Sequence, residues 1–109
     1  MRRDVFQAIA DPVRRDILDL LAEDKMTVNA VANEFDISRP AVSKHIKILT
    51  ECGLVKIVPY GRERHCVFIP KELSLVSEWV DQHRALWEAK LDSFEQYLEE
   101  LKSKSADNG

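Results

Sequence analysis

The sequence predicts a mainly α-helical domain carrying one small β-hairpin, and three observations predict it. Apolar residues recur at helical spacing from Val5 to Leu49. Between Leu54 and Ile69 the period shortens and β-branched and aromatic residues gather, as in strands. Helical spacing then returns from Lys71 to Lys102 with no glycine or proline to interrupt it.

Each element has its own local cause. Val5, Phe6 and Ile9 make a short amphipathic start. Asp11-Pro12 follows as an N-cap and the residue best tolerated at the first helical position, and Val13, Ile17, Leu18, Leu20 and Leu21 carry a second helix to about Ala22. Glu23 to Met26 form a polar break, after which Thr27 caps a third helix bearing Val28, Val31, Ala32 and Phe35. "FDIS" is a turn of the length that joins two crossing helices. Ser38 caps the fourth helix, Pro40 is harmless in its first turn, and Val42, Ile46 and Leu49 form the buried stripe with Ala41 beside them. Gly53 stands where a left-handed residue ends a helix. "LVKIVPY" and "HCVFI", separated by "GRER", read as a hairpin with a basic tip, closed by Pro70. The last helix carries its seam at 73, 76, 80, 83–87, 91, 94, 98 and 101, in alternating three- and four-residue steps suited to a second helix. "SKSADNG" reads as a frayed end. The expected organisation is one domain over residues 1–102 and a disordered tail over 103–109.

Charge is unevenly spread along the 109 residues. The net charge is -3, which argues against a generally basic coat for nucleic acid. Residues 36–70 nevertheless carry six cations and three anions, a basic block between two acidic thirds. Local charge steers a polyanion whatever the total. The N-terminal residues lack the apolar core of a signal peptide, and no apolar run approaches the ~20 residues of a membrane span, so the chain is expected in the cytoplasm. Two cysteines at unrelated spacing give no disulfide framework.

Helix, short turn, helix with exposed cations, then a hairpin with a basic tip, is a winged helix-turn-helix, ending here in a long dimerisation helix. The fourth helix answers to the major groove of DNA and the hairpin to a neighbouring backbone or minor groove. Turning Val42, Ile46 and Leu49 inward leaves Arg39, Ser43, Lys44 and Lys47 outside, on a face free of carboxylates until Glu51. Short side chains at Ser38 and Ser43 allow close backbone approach, and Arg39 and Lys44 are long enough to reach a purine edge. "DPVRRDIL", "ISRPAVSKHIKILTECGLV" and "GRERHCVFI" resemble the ArsR/SmtB-like winged-helix repressors over roughly residues 4–100. The sequence is most similar to the subgroup without metal-sensing cysteines, the SdpR-type autorepressors. The resemblance implies a homodimer whose first and last helices form the interface and whose recognition helices meet a partly palindromic operator of double-stranded DNA. It places Ser38, Arg39, Pro40, Ser43, Lys44 and Lys47 at DNA-facing positions and Arg62 and Arg64 at the wing tip. Interface residues are then Val5, Phe6, Ile9, Leu73, Val76, Val80, Trp87, Leu91, Phe94, Leu98 and Leu101.

Rival chemistries call for residues that this sequence supplies only in part. A metal site on the third helix needs a close cysteine pair, and "TVNAVANEF" has no thiol. A last-helix zinc site would begin at Asp81 and His83, but its second half falls at Phe94 and Tyr97, and two ligands per chain suit poorly a metal that wants four. No metal and no cofactor are therefore expected, and His83 reads as a seam residue. His45 fits either a DNA contact or a half-buried packing role, and His65 is expected to face solvent. Centring the hairpin near Arg62 pairs Cys66 with about Val58, which puts the thiols of Cys52 and Cys66 about 20 Å apart along the chain. Both then read as small apolar fillers, with a reactive thiol as the alternative. Of three glycines, none can build a phosphate-cradling loop, and no catalytic constellation is recognisable, so an enzyme is not expected. A thiol- or metal-responsive sensor of the same fold and a winged-helix adaptor for protein contacts are the alternatives. An unidentified inducer or partner protein would provide control.

Overall fold

The computed structural model describes residues 3–107. The order is α1 (Val5–Ile9), α2 (Pro12–Glu23), β1 (Met26–Thr27), α3 (Val28–Ala32), α4 (Arg39–Glu51), β2 (Val55–Tyr60), β3 (Glu63–Phe68), a single 3-10 turn at Pro70–Glu72, and α5 (Leu73–Asp107). The described residues fall into two compact units that divide after Val76, where a single unit through residue 102 was expected. From Trp79 onward the large apolar side chains of α5 are exposed, so that stretch buries little of itself.

In the first unit the caps at Asp11 and Thr27 are those the sequence predicts, and Asp4 caps α1 in addition. Asp4 accepts from the Gln7 amide at 3.1 Å, Asp11 from Val13 at 2.8 Å and Arg14 at 3.2 Å, and Thr27 from Ala30 at 3.1 Å. Each satisfies an amide that a helix start leaves without a partner. α4 ends in a Schellman motif: the Leu54 amide bonds the Leu49 carbonyl at 3.0 Å and the Gly53 amide that of Thr50 at 3.1 Å, with Gly53 at φ +82°. Leu49 and Leu54 are both fully buried beside it, joining Ile17, Val31, Val42 and Ile46 in the core.

The hairpin is tighter than expected. Tyr60 pairs with Glu63, so only Gly61 and Arg62 form the loop. Gly61 has φ +66° and Arg62 does not have a positive φ, the pattern of a type II′ turn with glycine at its first central position. Cys66 accordingly faces Ile57, one residue from the expected partner. The polar break also contributes something the sequence did not announce. Met26 and Thr27 pair with Cys66 and His65, which makes β3 the central strand of a sheet ordered β1-β3-β2.

Several expectations change as a result. His65 lies in that central strand and its side chain is only 16% exposed, rather than facing solvent. Cys52 and Cys66 are both free and both belong to the buried cluster, as small apolar fillers do. Phe35 falls beyond α3, which ends at Ala32. Val5, expected at a subunit interface, is 2% exposed and fills the chain's own core, while Phe6 points out. The helix α5 continues through 103–107 in place of a disordered tail, since no glycine or proline stops it there; the last two residues lie outside those described.

Candidate nucleic-acid interface

The helix α4 presents two faces because its apolar residues repeat at helical spacing. Val42, Ile46 and Leu49 are buried, and Arg39, Pro40, Lys44 and Lys47 are exposed on the other side with Ser43 half-buried between. Ser38 is exposed, and its hydroxyl accepts from the Ala41 amide at 3.3 Å. The one carboxylate of this helix, Glu51, sits at its end and pairs with Arg3 at 2.8 Å. The outer face therefore keeps its cations and lends no negative charge to a polyanion.

Arg62 lies in the two-residue turn and Arg64 two positions further on β3, and both are exposed. Tyr60 at the hairpin end is 62% exposed, with the Lys25 ammonium 4.6 Å above its ring. The wing and α4 meet at a groove of about 320 Å³ lined by Thr27, Val28, Asn29, Arg39, Glu63 and Arg64. Within it the Arg39 Nε donates to the Asn29 side-chain oxygen, so α3 holds the one arginine of α4.

His45 takes the packing role. Its Nδ1 lies 3.4 Å from a terminal nitrogen of Arg14. Arg14 is 9% exposed and also donates to the carbonyls of Ala8 and Gln7, both at 2.9 Å. It thereby closes the C-terminal end of α1 and ties it to α2 and α4. Beside it, burial works to raise the Asp11 carboxyl, but the amide bonds from Arg14 and Val13 and the nearby His45 and Arg14 outweigh it, holding the group below its usual 3.8. Burial pushes both cysteine thiols upward, away from the thiolate that reactivity requires.

In the second unit, His83 lies among its neighbours on α5. Its Nδ1 lies 2.8 Å from the Trp79 carbonyl, and its ring sits 4.8 Å from Trp79 and 5.6 Å from Trp87. Asp81 faces Arg84 at 3.4 Å. Among the described residues no group of three or more histidine, cysteine, aspartate or glutamate side chains is placed to hold a metal ion. Trp87, Leu91, Phe94, Leu98 and Leu101 are 39–59% exposed. Val80 is half-buried. In the first unit Leu73, Val76 and Ile9 pack partly against the core. No described helix is long and apolar enough to cross a membrane.

Asn29 and Arg14 were not among the expected site residues. Arg14 lies within the quoted "DPVRRDIL", yet sequence alone does not say which of two adjacent arginines turns inward. The signal at Asn29 was a small polar residue two positions after the Thr27 cap, on the helix preceding the turn.

Several known proteins are similar to this chain in sequence or fold. A family model described as a helix-turn-helix domain matches residues 9–58. The transcriptional repressor SdpR of Bacillus subtilis is 46% identical over 52 residues, 48% of this chain and 58% of that protein, so the match spans little more than half the relative's length. The HTH-type transcriptional regulator Rv2034 of Mycobacterium tuberculosis is 33% identical over 94 residues, covering 86% of this chain and 85% of the relative. The crystal structure of an ArsR family transcriptional regulator superposes with a TM-score of 0.68 at 36% identity, over 76% of this chain and 91% of that one. The solution structure of a homodimeric winged helix-turn-helix DNA-binding domain from Mycobacterium bovis gives 0.58 at 28% identity, over 72% and 77%.

Proposed function

The chain belongs to the ArsR family of transcriptional regulators, and from that premise we propose that it is a homodimeric repressor reading a partly palindromic operator. The observation that carries this reading is the exposed, carboxylate-free face of α4, continued by two arginines of the wing. Ser38, Arg39, Pro40, Ser43, Lys44 and Lys47 meet the major groove, and Arg62 and Arg64 meet the backbone or a neighbouring groove. Repression is the activity named for the SdpR relative, and the double-stranded operator is the partner that such a face fits. Dimerisation is supported by the exposed apolar row of α5 and by the homodimeric relative. Two copies would set their recognition helices about 34 Å apart, one turn of DNA.

Control is independent of metal in this reading. Among the described residues of α5, Asp81 and His83 offer half of a site, and each lies against a neighbour on its own helix. The cytoplasm is the compartment where such a regulator works. The test is binding of the chain to its operator and to random duplex at two salt concentrations, followed by fluorescence anisotropy. Affinity for both should fall steeply with salt, as phosphate contacts require, with the operator bound more tightly throughout. Salt-insensitive binding, or equal affinity for both duplexes, would count against it.

A further inference from the structure

We infer that Asn29 is a positioning residue that fixes which edge of the Arg39 guanidinium is offered to DNA, and so sets a guanine preference at one operator position. The inference rests on the proposed reading of α4 as the element that enters the major groove.

A guanidinium has two forks of paired N–H groups. One is its side edge, Nε with one terminal nitrogen; the other is its end, formed by the two terminal nitrogens. The Asn29 oxygen takes the Nε proton, which removes the side fork. What remains is the end fork, the pair that matches O6 and N7 of guanine. The holder is itself held. Asn29 belongs to α3, whose start is capped by Thr27 and whose Val31 is fully buried, so its position is referred to the core. A long arginine side chain tethered this way surrenders less freedom on binding than a free one. The groove around the pair also matters. Glu63 and Arg64 line it together, so one acid and one further cation border the groove that holds Arg39. A bidentate contact with a base edge is the remaining use of the fork.

The experiment measures operator binding of the full chain to duplexes varied one base pair at a time, at two salt concentrations. Asn29→Ala should lose roughly ten-fold of guanine discrimination at one position, the size expected when a bidentate pair is spoiled. Arg39→Ala should lose it at the same position, and the double variant should be no worse than Arg39→Ala alone. The salt dependence of Asn29→Ala should match the parent, because no phosphate contact is removed. Asn29→Asp, which keeps the acceptor, should retain the base preference while binding all duplexes less tightly. Intact discrimination in a folded Asn29→Ala would overturn the inference. So would a shallower salt dependence with discrimination unchanged, which would make Asn29 a phosphate contact. If Lys44→Ala and Arg39→Ala bind every duplex as the parent does, the DNA reading itself fails; if they weaken binding and Asn29→Ala behaves as the parent, only the role of Asn29 does.

Discussion

Asp11 shows how much one side chain can settle. Its carboxylate closes two amides at the start of α2 and lies beside Arg14, the residue that ties α1 down. Replacing it with alanine should cost about 1 kcal/mol, the usual worth of an N-cap, measured by denaturant unfolding at neutral pH. Because its folded pKa lies below the ordinary 3.8, the stabilisation is complete above that value and is lost as pH falls through the lower, folded one. The gap between parent and Asp11→Ala should therefore close in acid, and a gap that stays constant down to strongly acidic pH would contradict the assignment. Asp11, Thr27, Ser38 and Gly53 were all legible in the sequence because each acts through its immediate neighbours. His45, His65 and Arg14 were not. Their surroundings are assembled from residues distant in the chain, such as the 31 positions separating Arg14 from His45.

Elements divide along the same line. The helices α2 and α4 announce themselves by apolar spacing and caps, and the hairpin by its change of period. β1 is two residues long, too short to own a pattern, and exists because β3 offers it a free edge. The wing register was one residue off for a related reason: the turn type depends on which of "GRER" takes the left-handed conformation, and only Gly61 does so. The exposed face of α4 was readable from the stripe that opposes it, whereas the hold of α3 on Arg39 was not. If α4 reads bases and the wing tip meets phosphates, substitutions in the two should differ in kind. Lys44→Ala should weaken operator binding by about 1–3 kcal/mol and relax its specificity. Arg62→Ala should weaken operator and random duplex alike and flatten the salt dependence. Anisotropy titrations at two salt concentrations separate the two patterns, and identical behaviour of both variants would remove the distinction.

At the scale of the whole molecule, assembly and control are the open properties. Leaving a large apolar side chain in water forgoes about 1.5–3 kcal/mol, and α5 leaves a row of them. Sedimentation should show a dimer at micromolar concentration, and Leu91→Glu with Phe94→Glu should shift it to monomer and weaken operator binding. A stable monomeric parent that forms no dimer on DNA would exclude this assembly. Operator binding should be indifferent to micromolar zinc, nickel, cadmium or arsenite and to a chelator; a saturable loss that disappears in an Asp81→Ala, His83→Ala variant would reveal a working metal site. The sheet bears on a different kind of association. A strand with a free edge can recruit strands from other chains and seed disordered aggregates. Here the central strand is covered on both sides, one outer strand is only two residues long, and the other carries Pro59 near its end. Tyr60 and Glu63 close the two-residue loop as a bonded pair, so alternation leaves Pro59 in a non-bonded pair, where an amide would point away from the sheet. Proline has no such amide, and the outer edge has one fewer donor to offer an incoming strand. The sheet is thus blunted against indiscriminate growth, while the apolar row of α5 remains open to a specific partner.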